Sequence, residues 1–193
     1  MRRPIAKSLS YVLLAAGTIL VFMGTRDYLD SRIGQVQAAR SFAIPGAGTE
    51  YDPPRLGESV ARLTIPRLAT ELYVVEGDGA RQLRLGPGHL KGTVLPGANG
   101  NCVIAGHRDT HFRVLKDIRK GDEIVLETEM GQFIYRVTKL EVVPPSDTDP
   151  LQAVSRAELN LITCYPFYYV GPAPKRFVVT AELEHSVSAG PSM

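Results

Sequence analysis

Between residues 60 and 184 glycine and proline cut the chain into short β-rich runs, and this punctuation limits the possible folds more than any other feature. "VARLTI" (60–65) alternates apolar and polar residues, as a strand with one buried face requires, and Pro66 closes it. "TELYVVEG" reads as a second strand, "GARQLRLG" as a short helix at best, and "GNCVIAG" as a buried strand. "HFRVLKDI" allows one or two helical turns before the turn "RKGD". "DEIVLETEMGQFIYRVTKLEVV" reads as a hairpin, two β-rich runs separated by "EMG". "SRAELNLITC" runs from an irregular stretch into a strand, and "KRFVVTAELE" is the last strand. The tail "HSVSAGPSM" (185–193) is expected to be disordered. About eight strands without long crossover helices predict a mainly β fold, a mostly antiparallel eight-stranded barrel with short helices. No internal repeat is visible.

The N-terminal segment is of another kind. "MRRPIAK" (1–7) carries Arg2, Arg3 and Lys7, and "SLSYVLLAAGTILVFMGT" (8–25) carries no charge. Eighteen helical residues rise about 27 Å, close to the hydrocarbon thickness of a bilayer. For a cleaved signal peptide the run is long, and no small-x-small site follows it closely; "VQA" (36–38) is far downstream. A buried core helix would not be apolar on every face at the start of a chain. The segment therefore reads as a transmembrane signal anchor preceding the barrel. The basic leader keeps the N-terminus cytoplasmic and residues beyond Arg26 outside the cytoplasmic membrane, in a single-pass topology. Residues 26–59 would form a polar helix, "RDYLDSRIGQVQAAR", and then a linker from residue 41, "SFAIPGAGTEYDPPRLGES", holding the domain 60–184 off the membrane.

A net charge of +2 without a basic stripe excludes a nucleic-acid surface. Two cysteines, Cys102 and Cys164, make neither a disulfide framework nor a structural zinc site. Without a Cys-x-x-Cys pair the chain is not a dithiol redox protein.

The chemistry concentrates in two segments. In "LITCYPFYYVGPAPKRFVV" (161–179), Cys164 ends an apolar strand, Pro166 stops it, and the aromatic and proline-rich loop should be stiff. Arg176 then heads the next strand. If the two strands pair through this loop, Cys164 and Arg176 point into one groove. A cation there lowers a thiol pKa or stabilises a developing oxyanion. Taken alone the pattern is weak, because a buried cysteine is more often a small apolar filler. In "NCVIAGHRDTHF" (101–112), His107 follows a strand that ends in Gly106, which suits an acid/base partner on a barrel rim and equally a surface histidine. "RDT", with Asp109, is polar enough for a hydrogen-bonded turn that orients the ring. Cys102, inside the strand, reads as core.

These segments resemble the sortase family of bacterial surface cysteine transpeptidases. "LITCYPFYYVGPAPKRFVV", "GPGHL" (86–90) and "LPGANGNCVIAGHRDTHFRVL" (95–115) are most similar to its class D members, and the likeness spans residues 60–184. The resemblance implies a catalytic triad of His107, Cys164 and Arg176, and a threonine, Thr163, that helps with substrate or oxyanion contacts. It implies surface proteins with a C-terminal Leu-Pro-x-Thr-Gly-like sorting signal as substrates and an amine of the cell envelope as acceptor. His89, in "GPGHL", is either a further candidate for the site or a surface-turn histidine. Asp117, Asp122 and Glu123 read as ordinary turn charges, so neither metal nor other cofactor is expected. A thiol hydrolase with water as acceptor and a non-catalytic membrane-tethered binding domain are the competing classes.

Overall fold

The computed structural model of the protein describes residues 3–42 and 53–188. Eight strands close into a barrel: β1 (Ser59–Ile65), β2 (Thr70–Glu76), β3 (Gly88–His89), β4 (Gly100–Gly106), β5 (Glu123–Thr128), β6 (Gly131–Val143), β7 (Ala157–Tyr165) and β8 (Lys175–Ser188). Their order around the barrel is β1-β2-β3-β4-β7-β8-β6-β5, with β5 pairing back onto β1. Closure removes the exposed strand edges that an open sheet would leave. Most pairs are antiparallel, as the sequence predicts; β2 with β3 and β4 with β7 are parallel.

Alternation decides what fills the barrel. Ala61, Leu63 and Ile65 of β1 point inward, with Cys102 and Ile104 of β4, Leu159 and Leu161 of β7, and Val179 and Ala181 of β8. A 3-10 segment, His111–Asp117, adds Phe112 and Leu115, both fully buried. Each large aliphatic or aromatic side chain so buried contributes about 1.5–3 kcal/mol. Tyr135 brings a hydroxyl into this core, and it accepts a hydrogen bond from Gly97 N at 2.8 Å.

The N-terminal segment is one helix, α1 (Arg3–Phe42), of 40 residues. It runs through the expected anchor, the polar helix and the first two residues of the expected linker. Among the described residues no helix is long and apolar enough to cross a membrane, so the observed fold is the barrel with its helices. The end of α1 packs on the barrel instead of standing off it. The Gln35 side chain bonds both ways to the β2 backbone: its Nε2 donates to Tyr73 O (2.9 Å) and its Oε1 accepts from Tyr73 N (2.7 Å). The same Nε2 donates to Leu85 O (3.0 Å) at the end of α2 (Ala80–Leu85). A Cβ on Gly34 would stand 2.5 Å from Leu85 Cα, so the helices touch backbone to backbone there. Ala38 is buried in the same seam. Of the linker, 43–52 lie outside the described residues, as do 189–193 of the tail. Residues 185–188 are not a disordered tail: β8 continues through them, pairing His185 to Ser188 with Ile134 to Gly131 of β6.

Candidate active site

Strand register assembles the site. β4 runs parallel to β7 from Gly100↔Ala157 to Gly106↔Thr163, and β7 runs antiparallel to β8 with Cys164 opposite Arg176. Because Ile104, Leu161 and Val179 face the core, Ala105, Ile162, Cys164, Arg176 and Val178 face outward by alternation. His107 follows Gly106 directly, just past the end of β4. Neighbouring strands are about 4.8 Å apart, so Cys164 and Arg176 form one row across β7 and β8, with the apolar row Ala105, Ile162, Val178 beside it and His107 at the neighbouring strand end. Cys164 is free and half-buried, and His107 and Arg176 are half-buried too.

Two loops flank the row. The 144–156 segment between β6 and β7 is pinned to the outer face by Asn101, whose Nδ2 donates to Pro150 O and Gln152 O, both at 2.9 Å. Asn160 donates to Asn101 Oδ1 (2.9 Å), and Thr180 donates to Asn160 Oδ1 (2.7 Å), so the polar groups under this loop bond one another. On the other side, the loop between β7 and β8 is clasped by residues that follow His107. Arg108 Nη2 donates to Tyr169 O (2.8 Å) and Gly171 O (3.0 Å), and the guanidinium lies 5.7 Å from the Tyr169 ring centre. Arg113 stacks likewise on Tyr168. Arg176 Nη1 donates to Ala173 O (3.4 Å) and Lys175 O (3.1 Å) of the same loop.

Beneath the row, Thr163 is buried and its Oγ1 donates to Gly106 O at 2.7 Å, joining the two strand ends that carry Cys164 and His107. The sequence suggested a substrate or oxyanion contact for this residue; its hydroxyl is committed to the strand partner. Gly106 must lack a side chain, since a Cβ would lie 2.6 Å from two ring carbons of Phe112. Phe112 N in turn donates to His107 O at 3.0 Å.

His89 and Asp109 are not drawn into the row. His89 is buried, not on a surface turn, with Nδ1 at 2.7 Å from Glu76 Oε2 and Nε2 at 3.0 Å from Val94 O. It sits opposite Ile104, so it ties β2, β3 and the loop before β4 together. Asp109 is exposed; within "HRDT" it is Arg108 that makes the long-range bonds. Arg108 was missed in the sequence, although an arginine after the histidine and a Tyr-Tyr pair after the cysteine are complementary. His111 was missed as well. It is buried, 2.8 Å from Ser31 Oγ of α1, and burial, with His107 nearby, pushes its pKa down to about 4. Cys102 is fully buried, and desolvation drives its thiol pKa far up, which suits packing and not nucleophilic work. Asp122 forms an ion pair with Arg67, which holds its carboxyl below the usual range. Among the described residues no three His, Cys, Asp or Glu side chains gather as metal ligands would.

A half-buried free thiol paired across the strands with an arginine, with a histidine just past the end of the neighbouring strand, has the groups needed for acyl transfer through a thioester. A profile of the sortase domain matches residues 63–184. Sortase D of Bacillus subtilis strain 168 is 42% identical over 127 residues, covering 65% of this chain and 64% of that protein, a little under two thirds of its length. The structure of a Clostridium perfringens sortase D5 transpeptidase superposes with a TM-score of 0.66 at 26% identity, covering 81% of this chain and 99% of that one. The catalytic domain of Bacillus anthracis SrtD gives 0.62 at 32% identity, covering 75% and 99%. From the barrel, the row on its face and these likenesses, the chain belongs to the sortase family of cysteine transpeptidases.

Proposed function

We propose that the protein is a membrane-anchored transpeptidase that cleaves a Leu-Pro-x-Thr-Gly-like signal between Thr and Gly and passes the Thr carbonyl to an amine of the cell envelope. The Cys164 thiolate attacks that carbonyl carbon. The resulting oxyanion is met by the Arg176 guanidinium, which retains donors beyond the Nη1 bonds to its loop. The C–N bond breaks as His107 gives the leaving glycine amine its proton, which leaves a thioester. The acceptor amine then attacks, His107 removes its proton, and the thiolate departs. The observation that supports the reading is the pairing of Gly106 with Thr163 and Cys164 with Arg176, which brings the end of β4, just before His107, next to the strand ends that carry Cys164 and Arg176.

Membrane attachment is supported by the uncharged run 8–25 behind three basic residues. Along it Tyr11 to Leu14 and Ile19 to Phe22 are exposed. Within the run Thr18 Oγ1 donates to Leu14 O (2.9 Å) and Thr25 Oγ1 to Val21 O (2.8 Å). Hydroxyls satisfied within the helix are compatible with lipid.

The test is incubation of the protein with a Leu-Pro-x-Thr-Gly peptide, with and without an added amine. The parent should form a thioester adduct, detectable by mass spectrometry, and an amide product when amine is present. Cys164→Ala should form neither, and Cys102→Ala both. A parent that gives only the hydrolysed acid in either condition is a hydrolase, and turnover by Cys164→Ala would remove the thiol mechanism.

A further inference from the structure

Where α1 leaves the uncharged run it passes α2, and the two helices enclose a cleft of about 550 Å³. Arg26, Asp30, Ile33, Gly34 and Gln37 line it from α1, and Arg81, Arg84 and Leu85 from α2. The α1 positions follow at intervals of four, three, one and three, one face of a helix. The lining thus carries three guanidiniums against one carboxylate. Among the described residues none of the three makes an ion pair or hydrogen bond, whereas Arg62, Arg67, Arg136 and Arg156 each pair with a carboxylate. Unpaired cations gathered on one cleft repel one another, and an anion reverses that cost. Ile33 and Leu85 add apolar wall beside the charges.

Position identifies the anion. Arg26 is the first residue after the run 8–25, so with that run in a bilayer the cleft opens at the headgroup layer. We infer that this cleft binds the phosphate of an anionic phospholipid headgroup, the guanidiniums forking onto its oxygens and Ile33 and Leu85 covering the glycerol carbons. This seats the barrel on the membrane at a fixed side. The inference rests on the membrane reading above.

Two measurements keep the two apart. Alkaline carbonate extraction of cell membranes tests the anchor alone, and release of the chain would end the membrane reading and, with it, this one. The full chain in neutral detergent is then titrated with short-chain phosphatidylglycerol and phosphatidylcholine, reading hydrogen-exchange protection of residues 26–37 and 80–85. The expected result is at least tenfold tighter binding of phosphatidylglycerol, weakened by salt. The paired substitution Arg81→Glu and Arg84→Glu should weaken it by at least about 25-fold, taking roughly fivefold per arginine near a membrane surface. Both side chains are exposed, so the melting temperature without lipid should match the parent; Arg81→Gln with Arg84→Gln serves if it does not. Equal affinity for the two lipids, an unaltered affinity in both variants, or equally tight binding of inorganic phosphate alone would each overturn the assignment. Carbonate retention combined with any of these leaves the anchor standing and the cleft refuted.

Discussion

Thr163→Val separates a strand clamp from a substrate contact. The change keeps volume and branching and deletes Oγ1, hence the 2.7 Å bond to Gly106 O. Thr163 is only 2% exposed, so the abandoned carbonyl gains little water. Losing a buried neutral hydrogen bond and stranding its acceptor costs about 1–2 kcal/mol. For a domain of this size that lowers the melting temperature by roughly 3–10 °C. The activity effect follows from location, because the bond ties the last residue before His107 to the last before Cys164. The ladder between β4 and β7 survives, so a shift of a few tenths of an ångström is expected, well short of the 1 Å that costs about 100-fold. We expect kcat to fall about 3- to 30-fold with KM little changed, and Thr163→Ser to recover most of both losses. Thermal melts by circular dichroism and steady-state cleavage of a quenched Leu-Pro-x-Thr-Gly peptide measure the two effects. An unchanged melt with kcat down more than about 1000-fold would mean that the hydroxyl meets substrate, as the sequence suggested. Parent-like values of both would show the bond to be idle.

Three further outcomes follow from the same geometry. Arg176→Lys and Arg176→Ala should both lower turnover by about 10²–10³, because an ammonium cannot supply directed fork bonds; alkylation of Cys164 should change far less, and parent-like turnover in Arg176→Lys would leave only a charge role. Gly106→Ala drives a Cβ into the buried Phe112 ring and should cost about 1–3 kcal/mol, with Phe112→Leu rescuing part of the melting temperature; no loss in the single variant would mean that the ring moves freely. His111, with its pKa lowered from 6.5 to about 4, stays neutral while the unfolded chain takes up a proton, so its contribution is complete above pH 6.5 and is lost as pH falls towards 4. His111→Gln should flatten the decline in melting temperature between pH 7 and 5, and equal slopes would refute this; the carboxyls of Asp122 and Glu184, lowered by Arg67 and Arg136, act at more acidic pH.

Seven of the strands were legible because their inward residues alternate, as Ala61, Leu63 and Ile65 do. β3 was not, because Gly88 and His89 are too few for any period to show. The pairing of Cys164 with Arg176 could be anticipated because one loop joins their strands. The position of His107, just past the end of a strand beside β7, could not. It depends on a parallel pair whose partners, Gly106 with Thr163 and Ile104 with Leu161, lie 57 residues apart, and no local pattern encodes that register. The docking of α1 was hidden for a different reason. Its contact face is Ser31, Gly34, Gln35 and Ala38, small and polar residues at helical spacing. A hydrophobic stripe would have shown; backbone approach and side-chain amide bonds leave no such trace. The polar tail residues 185–188 looked disordered because their order comes from β6, not from burial of their own side chains.

The segment after His107 resolves a conflict inherent in the role proposed for that residue. A group that gives and then takes a proton must keep its working ring nitrogen accessible, yet its backbone must hold position to within a fraction of an ångström. Among the described residues the His107 ring makes no hydrogen bond, so nothing fixes it through its nitrogens. The restraint comes from its neighbours. Phe112 and Leu115 are buried in the barrel end, Arg108 and Arg113 grip the loop after β7, and His111 meets Ser31 of α1. Phe112 N closes the segment onto His107 O. Individually a neutral hydrogen bond is worth about 1 kcal/mol, but these contacts come from three directions and oppose displacement along each. The imidazole is left free because the residues beside it, and α1 through Ser31, carry the work of holding the backbone.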